Sequence, residues 1–164
     1  MGRCEREKVG TEERGNVGTE AAAPRAVVRR FEDLEVWQTA RVLTRGVYKA
    51  ARNQRLCDDL ALKNQMKRAA VSIGSNIAEG YERGTRKQHI EQCFTAKGSA
   101  GELRSQVTTA HDVALIDDQA YEWLMETCEK CSRQLASYIR HLQMSEKSIP
   151  GYKYALQKEA AGDQ

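Results

Sequence analysis

Five cysteines and three histidines are the side chains with most chemical potential in this 164-residue sequence. Cys128-Glu-Lys-Cys131 has the C-x-x-C spacing that a redox pair or half of a zinc site uses. No second pair stands at zinc spacing, and both thiols fall on an apolar helical seam, so packing as small hydrophobes is the expected role. A ferritin-like di-iron site needs Glu-x-x-His pairs projecting inward from two helices. None of His89, His111 or His141 has a Glu three residues earlier. Ser72, Ser75 and Ser99 lack a G-x-S-x-G elbow, and neither G-x-x-x-x-G-K-[ST] nor G-x-G-x-x-G occurs. The expectation is a non-enzymatic protein without metal or cofactor.

The other chemistry on offer is charge. Arg41, Arg45, Lys49 and Arg52 follow steps of four, four and three, which places them on one helix face. Arg55 follows, and then Lys63, Lys67 and Arg68; Asp58 and Asp59 are the only acids between Arg41 and Arg68. Such a row either solvates a helix or neutralises phosphates. Nucleic-acid binding is the functional reading, and RNA or DNA the expected ligand. Tyr48 is the one aromatic beside the row, so base stacking is expected to contribute little.

A polar run, Ser72, Ser75, Asn76 and Glu79, interrupts an otherwise apolar stretch. It is either a contact surface for a partner or neighbouring subunit, or a set of hydrogen bonds around a turn weakened by Gly74. The small residues Gly98, Ala100, Gly101 and Ser105 would let another helix approach.

These residues need helices to hold them, and the apolar spacing supplies four. Cys93, Ala96, Ala100, Leu103, Val107, Ala110 and Ala114 repeat at steps of three and four, as do Tyr121, Leu124, Cys128, Cys131, Leu135, Tyr138 and Leu142. Val36, Ala40, Leu43, Val47 and Ala50 make a third seam; Leu62, Met66, Ala69, Ile73 and Ile77 make a fourth. Glu32 or Asp33 should open the first helix, and Asn53 to Cys57 should interrupt the chain before Asp58 and Asp59 begin the second. Gly84 suits a left-handed residue, Thr85 with Gln88 a capping box, and Asp117 an N-cap. Short loops between long helices predict an all-α, antiparallel up-down-up-down four-helix bundle over residues 31–144. Leu34, Trp37, Thr44, Tyr48 and Ala51 form a second stripe on the first helix, more than one groove needs. Leu34, Trp37 and Tyr48 are therefore expected to meet another subunit.

Phe31-Glu-Asp-Leu-Glu-Val-Trp37, the segment from Gln65 to Gly80 and Ala96-Lys-Gly-Ser-Ala-Gly-Glu-Leu103 together resemble the bacterial four-helix-bundle proteins encoded in intervening sequences of 23S rRNA genes. The run Ser75-Asn76-Ile77-Ala78-Glu79-Gly80 is its most specific part. The family is in turn similar to the accessory variability proteins of diversity-generating retroelements, which assist a reverse transcriptase. The resemblance implies a homopentamer of bundles, no catalytic activity, and a motif carried here by Ser75, Asn76, Glu79 and Gly80. Gly74 stands where the family usually has Pro, so the Pro-induced bend of that helix is not implied here.

Residues 1–30 are polar and Gly-punctuated, with no apolar rhythm, and read as a disordered charged arm. Residues 145–164, beyond a break at Pro150-Gly151, read as a loosely ordered tail. The longest apolar run, Val113-Ala114-Leu115-Ile116, is far short of the ~20 residues a membrane helix needs. Without an apolar leader, and with an odd number of cysteines, the expected location is cytoplasmic. The expected function is an oligomeric bundle that binds nucleic acid through its basic surface. It would assist a processing partner such as a reverse transcriptase or an rRNA-associated complex. A protein-interaction scaffold that binds no nucleic acid is the alternative.

Overall fold

The computed structural model describes residues 28–144, so the arm over 1–27 and the tail over 145–164 lie outside the described residues. Those described form an all-α bundle. A single 3₁₀ turn (Phe31–Asp33) leads into α1 (Glu35–Ala50); a short α2 (Gln54–Asp58) precedes α3 (Leu60–Glu82), α4 (Arg86–Asp112) and α5 (Asp118–Met144). The four long helices close a ring in which α3 packs on α1 and α4, and α5 packs on α4 and α1. Numbers rise along each helix as they fall along its neighbour. Trp37 lies beside Gly74 and Thr44 bonds Ala70; Ser72 meets Ser99 and Gly80 abuts Gln92; Arg104 meets Glu129 and His111 bonds Asp118; Gly46 lies under Trp123 and Gln134 bonds Glu35. Adjacent helices are therefore antiparallel.

The seams become the core. Ala40, Leu43, Val47, Met66, Ile73, Ile77, Cys93, Leu103, Val107, Cys128, Cys131, Leu135 and Leu142 are shut off from solvent. Each large apolar side chain buried this way contributes about 1.5–3 kcal/mol before entropy is counted. Alanines at 69, 70, 96 and 100 are buried between the longer side chains. Such small residues set close interaxial distances.

Local chemistry fixes the ends. Asp59 Oδ1 accepts from Leu62 N at 2.9 Å, Thr85 Oγ1 from Gln88 N at 3.2 Å and Asp117 Oδ1 from Ala120 N at 2.8 Å. Gly84 takes φ 80°, the left-handed conformation that terminates α3 without a Cβ penalty. His111 bonds Asp118 at 2.7 Å and stacks on Tyr121, tying α4 to α5 across their turn.

Three local expectations change. Glu32 and Asp33 do not open α1; they belong to the 3₁₀ turn, where Asp33 Oδ2 accepts from the backbone N–H groups of Arg29 and Arg30. The segment after Asn53 is helical, not an interruption: Asn53 Oδ1 caps it through Arg55 N, and its one buried residue, Leu56, anchors it to the core. Ala114 leaves the α4 seam, because α4 ends at Asp112 and Ala114 is exposed with φ 57°. Through Gly74, by contrast, α3 runs uninterrupted.

Candidate nucleic-acid interface

The helix turns the 4-4 spacing of Arg41, Arg45 and Lys49 into a line about 12 Å long on α1. Arg52 lies in the turn just beyond the end of α1, and all four are exposed. Arg55 is exposed on α2, its Nη1 donating to Ala114 O at 3.4 Å. Across the α1–α3 seam, Lys67 places its Nζ 5.0 Å from the centre of the Tyr48 ring. That cation–π contact joins the two helices' cations into one surface. Arg68 is exposed on the next face of α3.

None of Arg41, Arg45, Lys49, Arg52, Arg55, Lys67 or Arg68 has an ion-pair partner among the described residues. Arg30, Arg83, Arg104 and Arg133 each have one. A cation without an ion pair gives up no salt bridge when an anion arrives, so this face is free to bind one.

Lys63 does not belong to that surface. It is 8% exposed, and its Nζ donates to Cys57 O at 2.6 Å and lies 3.5 Å from Cys57 Sγ. The α2 turn folds the Cys57 carbonyl over the start of α3 and consumes the ammonium, so Lys63 is corrected from phosphate ligand to structural cation. Leu34 is likewise corrected. At 5% exposure it is part of the core and has no surface to offer a second subunit. The 3₁₀ turn leaves Leu34 in extended conformation at the N-cap of α1 with its side chain inward. Trp37 is half-buried, edge-on to Phe31 at 5.2 Å, while Tyr48 is 44% exposed.

The motif residues divide by depth. Asn76 Nδ2 donates to Ser72 O at 2.7 Å and Ser72 Oγ at 2.9 Å, and Ser72 Oγ meets Ser99 Oγ of α4 at 2.9 Å. Ser99 in turn donates to Thr95 O. This chain of hydrogen bonds joins α3 to α4. Ser75 is exposed, and Glu79 is exposed and paired with Arg83 one turn on. Gly80 is buried where a Cβ would stand 2.8 Å from Gln92 Cβ and 3.2 Å from His89 O, so it sets how closely α3 and α4 approach.

Beside Gly80, His89 lies edge-on between Tyr81 and Tyr138 at 5.8 and 5.4 Å, with Nε2 lacking a hydrogen-bond partner. Burial pushes His89 down to about 4 and the thiols of Cys93, Cys128 and Cys131 up to about 12. At neutral pH these groups are uncharged and poor nucleophiles. Among the described residues no group of three or more His, Cys, Asp or Glu is placed to hold a metal. No described helix is long and apolar enough to cross a membrane.

Spacing alone did not reveal the groove between α3 and α4, about 410 Å³, lined by Gln65, Arg68, Ala69, Ser72, Glu102 and Gln106. Gln65, Arg68, Ala69 and Ser72 do lie at steps of three, one and three, the mark of one helix stripe. A second groove between α1 and α5 holds Val42 and Trp123 between Glu35, Glu126 and Lys130.

Residues 32–137 match the model of the 23S rRNA-intervening sequence protein family. A solved protein of unknown function from the S23 ribosomal protein family of Bacteroides thetaiotaomicron is 21% identical, with a TM-score of 0.59, over 63% of this chain and 97% of that one. At that identity the likeness shows the fold. No curated protein matches the chain.

Proposed function

The chain belongs to the 23S rRNA-intervening sequence protein family, and from that premise we propose that it is a non-enzymatic, oligomeric helical bundle that binds RNA or DNA through the α1–α3 basic face. In this reading it assists a nucleic-acid-processing partner, a reverse transcriptase or an rRNA-associated complex, and assembles as a homopentamer. The observation that carries the binding is the unpaired state of Arg41, Arg45, Lys49, Arg52, Lys67 and Arg68 on adjoining helix faces. One subunit offers a modest patch; a ring of subunits would multiply it through effective concentration.

Phosphate contacts release condensed counterions, so log K against log salt should fall with a slope of roughly −0.7 to −0.9 per contact. Arg45→Glu with Lys49→Glu should flatten that slope and weaken binding to all sequences alike, because phosphate contacts position without specifying. Unchanged affinity and slope in a folded double variant would reduce the face to solvated charge. That outcome favours the competing scaffold reading, for which the exposed Val42 and Trp123 offer apolar contact.

A further inference from the structure

The groove between α3 and α4 opens at the edge of the basic face. Lys67 reaches Tyr48 of α1 on one side of α3, and Arg68, the next residue, lines the groove on the other. The two sites also share a level of the bundle, since Thr44 of α1 bonds Ala70 of α3, among the groove's own residues 65–72. A strand whose phosphates lie on Arg45, Lys49 and Lys67 therefore passes the groove mouth at Arg68.

What lines the groove is polar in a particular way. Gln106 is half-buried, its Oε1 is sealed from solvent without a partner, and its amide makes no hydrogen bond among the described residues. With Oε1 sealed, the unbonded Nε2 is the end of the amide left to meet a ligand, and it can donate to an acceptor there. Glu102 adds a carboxylate, whose oxygens accept hydrogen bonds. Amides facing donor-acceptor edges are how side chains read bases, and carboxylates accept from exocyclic amines such as cytosine N4. Unpaired bases of single strands are open to this kind of reading.

We infer that the α3–α4 groove, with Gln106 and Glu102, takes one unpaired base bearing an exocyclic amine from the strand bound on the basic face. The inference rests on the proposed nucleic-acid binding and adds base selection to it. The amide serves many bases; the carboxylate rejects a carbonyl edge, which would set two acceptors against each other.

Cytidine and uridine decamers test this, because cytosine presents a 4-amine beside an acceptor N3 whereas uracil presents a 4-carbonyl beside an N3–H donor. Fluorescence anisotropy with the full chain should show the cytidine decamer bound about fivefold tighter or more. Glu102→Gln, whose amide can donate to the carbonyl, should bring the ratio close to one. Gln106→Met should weaken the cytidine decamer and leave the salt slope unchanged, since no phosphate contact is lost. Equal binding of the two decamers by the unaltered chain overturns the inference, as does a preference that survives in both variants. Binding that is tight, salt-dependent and indifferent to the base would leave the basic face standing and remove the groove. If neither decamer nor duplex binds, the proposed function falls, and this inference with it.

Discussion

Alanine at position 80 should destabilise the bundle although alanine is the better helix former. Both Gly80 and Gly98 lie inside helices, so either Gly→Ala change carries a propensity gain of about 1 kcal/mol. The surroundings then separate them. At Gly98 a new Cβ meets nothing within 4 Å. At Gly80 it would stand 2.8 Å from Gln92 Cβ, 3.1 Å from His89 Cδ2 and 3.2 Å from His89 O. A Cβ and a carbonyl oxygen cannot rotate aside, so α3 and α4 must part, loosening His89 between its two tyrosines. Such overpacking costs about 1–3 kcal/mol. Subtracting the Gly98→Ala result cancels the shared propensity gain and leaves the contact itself, a difference of about 1–3 kcal/mol. Urea titration followed by far-UV circular dichroism at one protein concentration measures both variants, the linear extrapolation giving each free energy. If Gly80→Ala proves as stable as Gly98→Ala, the close approach at Gly80 is not what the motif glycine provides.

Two further outcomes follow from the buried titratable groups. Folded His89 is held near 4 by burial while the unfolded chain titrates near its ordinary 6.5, so between those values the unfolded state binds the extra proton. Stability from this group should be complete above about pH 6.5 and drain away toward pH 4, by at most about 1.4 kcal/mol per pH unit. His89→Leu should flatten that part of the urea-midpoint profile, and an unchanged profile would refute the assignment. Among the described cysteines, only Cys57 is exposed. In a Cys4→Ser background one thiol should therefore react readily with a disulfide reagent at pH 8, the remaining three only after denaturation; rapid reaction of all four in the native protein would contradict the packing.

The seams were readable because burial on a helix leaves a period, and Met66, Ile73, Leu103 and Leu135 express it regardless of what lies opposite. Fold class followed from that alone. Helix α2 left no such trace: it has one apolar anchor, Leu56, among residues that also suit a loop. Missing α2 led to misplacing Lys63, whose ammonium is taken by the carbonyl of Cys57 at the end of that short turn. Counting charges by spacing sees the lysine but not the carbonyl that folds over it. Leu34 was misread for a related reason, because a 3₁₀ turn shifts which residues begin the helical phase. The groove depends on the α3–α4 register, which brings Gln65 and Arg68 opposite Glu102 and Gln106. That register is a property of two helices together and has no counterpart in either stripe alone.

Both tryptophans of the chain sit on glycines, one on each seam of α1. Trp123 of α5 covers Gly46, where a Cβ would collide with its ring, and Trp37 of α1 lies with Nε1 3.8 Å from the corresponding point at Gly74 of α3. The helix that carries the basic row is thus bracketed by two optical reporters, one for each neighbour it leans on. Should α1 lift from α5 alone, only the Trp123 environment changes; should it lift from α3, only that of Trp37. Single-tryptophan forms would therefore turn intrinsic emission into a directional gauge of α1 undocking, readable while nucleic acid is titrated in and needing no attached dye.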